Sequence, residues 1–410
     1  MPEIVQFAQS VKRRIMTGRR CDIAIVGGGL AGGLIALALA RSRPDLKLCI
    51  VEGRASLAGQ HRWSWFTADL PPEGEALLAE IPQTRWDDGY DVTFPDYQRH
   101  LTTPYRSMTA RGLSETLARY LPADAILTGC EARTLSAGQV VLRDGTRIEA
   151  GKVIDCRGFT PTGDLRGGWQ VFKGRLLTTH EPHGVTRPVI MDATVEQLDG
   201  YRFMYLLPLS ETELFIEDTY YRKRPLLDRE ELARRISQYI RAKGWQGEIE
   251  TRETGVLPVI TGGDFLAYQK ALRIPGVAVA GARGGFVHPL TSYTLACAVE
   301  TALFIAQKAD LPGEKLARVL ERRAKKLWKH HAFYRALGAM LFEAAEPETG
   351  YRVFQRFYRL RQPLIEHFYA GVSRWYEKVR ILAGRPPVSV RRAIVALATR
   401  GAYLLPQDRD

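Results

Sequence analysis

Three glycines set the first chemistry in this chain. Gly27, Gly29 and Gly32 read as G-x-G-x-x-G between an apolar run, Cys21–Val26, and a helix-like stretch from Leu34 to Arg41. A second apolar run, Leu46–Val51, ends at Glu52, 20 residues after Gly32. Strand, turn, helix, strand and spaced acid together make a dinucleotide-binding fingerprint, where a bare glycine turn would not. In this reading Gly27 makes the tight turn, Gly29 lets a pyrophosphate approach the backbone, and Gly32 lets helix and strand pack closely. The helix N-terminus attracts the diphosphate, and Glu52 accepts from a ribose hydroxyl.

Later segments point to FAD as the dinucleotide. Lys152–Asp155 is a strand that ends in an Asp-x-x-Gly turn at Gly158. Gly276–Gly281 is another short strand, leading through Gly284 and Gly285 into a helix from about Leu295 to Lys308. Backbone N–H groups of such a turn can lie beside a flavin, so Gly281, Gly284 and Gly285 join the cofactor-binding set. A plain strand–helix loop is the alternative. Two acids stand out elsewhere: Glu217 and Asp218 follow Leu214, Phe215 and Ile216 at a strand end. Taken alone, Glu217 reads either as a surface strand end or as a buried acid, whose pKa burial would raise so that it stays protonated. Asp218 points to the other strand face. His61 and His288 lie in loops and either fix those loops or carry protons.

The elements that must position these residues predict an α/β fold. It has a Rossmann-like FAD-binding domain, an inserted β-rich substrate domain and a helical C-terminal region. The expected boundaries are 20–75, 100–165 and 270–310 for the discontinuous FAD-binding domain, and 76–99 and 166–269 for the substrate domain. A basic helical region covers 311–410 and an N-terminal extension 1–19. Within the substrate domain, Tyr201–Leu207 and Glu213–Thr219 read as a hairpin, and Asp228 caps a helix running to Lys243.

Charge and composition narrow the partners. The net charge is +13, and residues 311–410 hold 20 Lys and Arg against 9 Asp and Glu. Twelve aromatics lie between Trp328 and Tyr376, interleaved with Arg and Lys. That mixture fits an interfacial surface on anionic membrane, or a plain helical domain with a solvated basic face. No nucleic-acid module signature is present, so no nucleic-acid partner is expected. The 18 uncharged residues Ile23–Ala40 contain five glycines and belong to the fingerprint rather than to a membrane span. The N-terminus lacks the apolar stretch of a signal peptide. Five scattered cysteines without a CxxC pair predict buried, reduced thiols and no metal site. The expectation is a cytoplasmic protein, peripherally attached to membrane.

From about residue 20 to 390 the chain resembles the bacterial FAD-dependent lycopene β-cyclases. The residues that carry this are the Gly27–Leu37 fingerprint, Gly59-Gln-His61-Arg-Trp63-Ser64-Trp65, Ile190-Met-Asp192-Ala-Thr-Val195 and Gly200-Tyr-Arg-Phe203. Phe215-Ile-Glu217-Asp218-Thr219, Phe286-Val-His288-Pro289-Leu-Thr291-Ser-Tyr293 and the tail Arg380–Val388 complete the set. Two positions depart. Ala282 follows Gly281 where related flavin hydroxylases carry Asp, which leaves the ribityl contact unassigned. Ser292 replaces an expected glycine, which predicts a changed local backbone.

The resemblance implies a reaction: acid-catalysed, non-redox closure of the ψ end groups of lycopene into β rings, by way of γ-carotene to β-carotene. It implies reduced FAD as the cofactor, with NAD(P)H as a candidate reductant, and lycopene and the membrane surface as partners. Glu217 becomes the catalytic acid, with Asp218 and His288 as lesser candidates. Tyr201, Phe203, Tyr205 and Phe286 become candidate aromatic faces for a carbocation. The competing class is a redox flavoprotein, a hydroxylase or isoprenoid reductase, acting on a hydrophobic substrate.

Overall fold

The computed structural model describes residues 18–198, 200–384 and 388–405. Most of the N-terminal extension, and Arg385–Pro387 of the tail motif, lie outside the described residues.

The fingerprint folds as its spacing predicts. Strand Arg19–Val26 runs parallel to Leu48–Val51 on one side and to Arg147–Asp155 on the other. All of Ile23–Val26 and Leu48–Val51 is buried, as apolar parallel strands require. Helix Leu30–Ser42 follows the first strand and starts four residues before the periodicity suggested, because the glycines at 32 and 33 belong to it. Ile126–Leu127 and Ala278–Val279 extend the parallel part, and Gln139–Leu142 and Ala132–Ser136 close one end antiparallel. The sheet has seven strands. Of the predicted strand Gly276–Gly281, only Ala278–Val279 is paired.

A second sheet of eight strands carries the cavity described below. From one edge inward it runs Gly247–Gly263, Leu165–Thr179, Glu213–Arg222 and Arg202–Pro208, antiparallel throughout. The predicted hairpin is there: Arg202–Pro208 pairs with Glu213–Arg222, and Tyr205 faces Glu217. Gly247–Gly263 is an edge strand, which accommodates Pro258. Val189–Asp192, Tyr90–Phe94 and Tyr97–Leu101 extend the other side. The segment Gln83–Trp86 joins neither large sheet; with Arg62–Phe66 and Tyr105–Thr109 it forms a three-stranded sheet beside the cavity.

Between Gly313 and Thr399 the described residues form a series of helices, several of which line the cavity over the eight-stranded sheet. Asp228 caps helix Arg229–Ala242 by accepting from the Glu231 N–H at 2.9 Å. The chain then returns: Ala402–Tyr403 pairs with Gly167 and Arg166 as a strand, where 311–410 is expected to be helical. Among the described residues, no helix is long and apolar enough to cross a membrane. Cys21, Cys49, Cys130 and Cys156 are buried thiols and Cys297 is half-buried.

Candidate functional site

The site has two parts, a glycine cradle and a cavity. At the cradle, Gly27 has φ +100° and donates to the Val51 carbonyl at 2.8 Å. A Cβ on Gly32 would lie 2.0 Å from the Gly27 carbonyl oxygen, so only glycine lets this helix start so close to the strand. A Cβ on Gly29 would meet nothing within 4 Å. Gly29 therefore borders open space at the N-terminus of Leu30–Ser42, and no side chain caps that terminus. Glu52 closes the turn, accepting from the N–H groups of Gly28 and Arg54, each at 2.8 Å.

The late turn meets the cradle. Gly281 has φ +63°, and a Cβ there would lie 2.8 Å from that of Ala31 in the first helix. Gly285, at φ +84°, ends the turn, and Gly284 packs against the Val279 carbonyl. Asp155 is buried below it, paired with Arg157 at 2.7 Å and Arg283 at 3.0 Å. Beyond the turn, Thr291–Leu295 lines the cavity, so the helix Leu295–Gln307 begins at the cavity wall. An open cradle at Gly29, at the uncapped N-terminus of Leu30–Ser42 and beside the glycine turn, fits an anionic dinucleotide.

The cavity holds about 480 Å³. Its floor is one face of the eight-stranded sheet. Tyr205, Glu217, Gly174 and Glu253 form a single row across four strands. The next rows carry Phe203 and Phe172, then Gln170, Tyr221 and Leu257. Phenol groups on this side are tied to each other: the Tyr105 hydroxyl lies 3.0 Å from that of Tyr205 and 3.3 Å from that of Tyr293, and Tyr205 donates to Ser64 at 2.9 Å.

Glu217 sits on the cavity floor, and burial, then the negative charge of Glu253, push its carboxyl up to about 8. The Thr219 hydroxyl donates to it at 2.5 Å and opposes that shift in part. Asp218 is on the opposite face, fully buried, with both oxygens held by Arg202 at 2.8 and 2.9 Å. It does not line the cavity. Neither does His288, which packs among His331, Tyr334 and Phe368 and accepts from, or donates to, the Thr291 hydroxyl at 3.0 Å. Burial, with His331 close by, drives its pKa well down, so it is neutral. This is a loop-fixing arrangement.

Of the four candidate aromatics, Phe203 and Tyr205 line the cavity. Tyr201 stacks on Phe354 at 4.1 Å behind it, and Phe286 lies in the core beneath the late turn. His61 lines the cavity at 3.2 Å from Glu253. Glu253 and Gly174 were missed in the sequence, and Tyr293 was read only as part of a motif; Glu253 lies in the polar stretch Glu248–Thr254, with no apolar run beside it to announce burial. Ser292 is buried with φ +57°, so the backbone keeps the shape expected of glycine, and its hydroxyl donates to the Pro258 carbonyl at 2.8 Å.

Residues 22–395 match the family profile described as lycopene cyclase protein. The chain is 40% identical to the lycopene beta-cyclase of Pseudescherichia vulneris over 91% of its own length and 96% of that protein. It is 36% identical to the lycopene beta-cyclase of Pantoea ananas over 92% and 98%. Among solved structures, a geranylgeranyl bacteriochlorophyll reductase-like protein of Thermoplasma acidophilum superposes with a TM-score of 0.56 at 13% identity, covering 93% of this chain and 99% of that one. A probable FAD-dependent monooxygenase of Pseudomonas aeruginosa gives 0.51 at 15%, covering 79% and 97%. These two likenesses are of fold.

Proposed function

Because the chain belongs to the lycopene cyclase family, we propose that it is a lycopene β-cyclase that closes the ψ end groups of lycopene to β rings, giving γ-carotene and then β-carotene. The observation that carries this reading is Glu217, a carboxyl pushed up to about 8 on the floor of an aromatic cavity. An alkene is a poor base, so its protonation needs an acid that keeps its proton at neutral pH in a dry site. Glu217 delivers that proton to the terminal double bond. The resulting C1 cation is attacked by the C5=C6 bond, and loss of a proton from C6 completes the ring.

The walls protect the cation. Phe172, Phe203 and Phe215 turn apolar faces inward, each contributing roughly 0.5–2 kcal/mol of cation–π attraction. The hydroxyls of Tyr105, Tyr205 and Tyr293 hydrogen-bond one another and are poor nucleophiles toward the cation. Gly27, Gly29 and Gly32, with Glu52 and the Gly281–Gly285 turn, would hold FAD, and the open space at Gly29 supports that fit. Once bound in its reduced form, with NAD(P)H as the candidate reductant, FAD would supply negative charge that favours a carbocation.

The enzyme docks peripherally on anionic membrane at the cytoplasmic side. Leu382, Val390, Ile394 and Leu397 both line the cavity and face outward, 36–63% exposed, so the cavity mouth has an apolar rim. Lys378, Arg380, Arg391 and Arg392 stand on the same helices. A hydrocarbon could pass from lipid into the cavity through such a mouth.

The deciding experiment uses anaerobic enzyme, reduced FAD and lycopene in heavy water. Wild type is expected to place one deuterium in each new ring without consuming flavin electrons. Glu217→Gln should lose at least about 10⁴-fold in rate while keeping FAD. One reduced flavin consumed per ring would replace this reading with a redox reaction. Gly29→Val should abolish FAD retention, since a side chain would fill the open cradle.

A further inference from the structure

We propose that Glu253 is the proton acceptor of the cyclisation, an inference that rests on reading Glu217 as the donor. Ring closure puts one proton on C2 and removes one from C6, so the site needs one group ready to give and one ready to receive. Among the described residues lining the cavity, Glu217 and Glu253 are the two carboxylates.

Their placement suits the two tasks. Gly174 on the central strand pairs with Glu217 on one side and Glu253 on the other. Strands lie about 4.8 Å apart, so the two α-carbons are separated by roughly 10 Å, with both side chains on the cavity face. No side chain stands between them at position 174. The Phe215 ring lies over that gap: a Cβ on Gly174 would be 2.4 Å from its Cζ and 3.1 Å from the Glu253 Cγ. An end group resting there has a donor at one edge, an acceptor at the other and an aromatic face beneath the cation.

The surroundings also assign the roles. Glu253 accepts from the main-chain N–H of Arg62 at 3.1 Å and lies 3.2 Å from Nδ1 of His61. The Arg62 N–H makes this carboxylate oxygen an acceptor. Glu217 has apolar neighbours and one hydroxyl donor. The groups that face Glu253 are Glu217, His61 and Arg62. The negative charge of Glu253 is itself a cause of the raised pKa of Glu217, which favours the proton on Glu217.

In the reaction, the O–H bond of Glu217 breaks as the C2–H bond forms. The C5=C6 electron pair makes the C1–C6 bond and leaves the charge on C5. The C6–H bond then breaks; its electrons form the new C5=C6 double bond and its proton goes to Glu253. No electrons leave the substrate, and the pair still holds one proton. His61, whose side chain is 35% exposed, exchanges that proton with water. The pair then returns to the arrangement with the proton on Glu217.

The test compares wild type, Glu253→Gln and Glu253→Asp on lycopene in phosphatidylglycerol vesicles with reduced FAD, reading both rate and ring type. Glu253→Gln should form β rings at least about 100-fold more slowly with normal FAD content. Its residual product should shift to rings that lost a proton from C4 or from the methyl on C5, or to a water-captured alcohol. Glu253→Asp, whose carboxylate is one methylene short, should fall between the two in rate and ring ratio. A Gln variant that makes β rings within tenfold of wild type would overturn the proposal. If the Gln variant does not fold, an Asp variant matching wild type in both rate and ring ratio would overturn it. A wild type that forms no β ring would instead refute the activity on which the inference rests.

Discussion

At the scale of single residues, neighbouring positions do different work because a strand alternates its faces. Glu217 and Asp218 look equivalent in sequence, yet one faces an apolar cavity and the other a buried guanidinium. The alternation is legible in the sequence; the partner Arg202, 16 residues away on the paired strand, is not. Ser292 makes a second case. A left-handed backbone costs a non-glycine residue roughly 1 kcal/mol or more, and the buried bond to Pro258 returns roughly 1 kcal/mol. Ser292→Gly removes both terms and should leave the melting temperature within a few degrees of wild type. Ser292→Ala keeps the strain and loses the bond, so it should be the less stable of the two by about 1–2 kcal/mol. Equal thermal unfolding midpoints for the two variants would contradict this account.

At the scale of elements, the fingerprint was readable because it is local: strand, turn and helix lie within 24 residues, Arg19–Ser42. The hairpin was readable for the same reason. The row Tyr205–Glu217–Gly174–Glu253 was not, because it depends on long-range register among strands up to 79 residues apart. Glu253 sits in a polar stretch, and its place beside Gly174, with His61 and Arg62 on its carboxylate, is set by long-range contacts. The helices at the mouth were half readable. Their aromatic and basic composition suggested an interface, but which apolar side chains face outward is set by packing. Trp375 is 77% exposed, and Val379 and Ile394 are 58% and 63% exposed. Substituting Ile394 and Val379 by Glu should weaken sedimentation with anionic vesicles and slow conversion of lycopene delivered in them, while FAD content stays unchanged. Wild-type binding should also fall with added salt, since surface attraction is screened over about 8 Å at physiological ionic strength. Binding that ignores both substitutions and salt would move the docking surface elsewhere.

At the scale of the whole molecule, holding an acid protonated has a cost that a pH titration of stability exposes. Unfolded, Glu217 titrates near 4.5; folded, it is pushed up to about 8, chiefly by burial. Between those values the folded chain binds the extra proton, so stability falls as pH rises through the window. Asp69, raised by burial to about 7, acts in the same direction but stops there. His288 and His331 act oppositely. Burial lowers both, His331 to about 3, so their contribution makes stability rise with pH, and it ends near their ordinary 6.5. The opposing effects overlap below 6.5, and of these four groups only the acids act above it. The clean interval is therefore pH 6.5 to 8. There the wild-type unfolding midpoint should decline with pH, and above pH 7 the decline should belong mainly to Glu217. Glu217→Gln has no proton to lose, so its midpoint should be flatter between pH 7 and 8, and the two curves should diverge as pH rises. Over the same interval the activity of wild type should decline as Glu217 ionises. Parallel midpoint curves for wild type and Glu217→Gln would show that Glu217 is already ionised at neutral pH, and that another group supplies the proton.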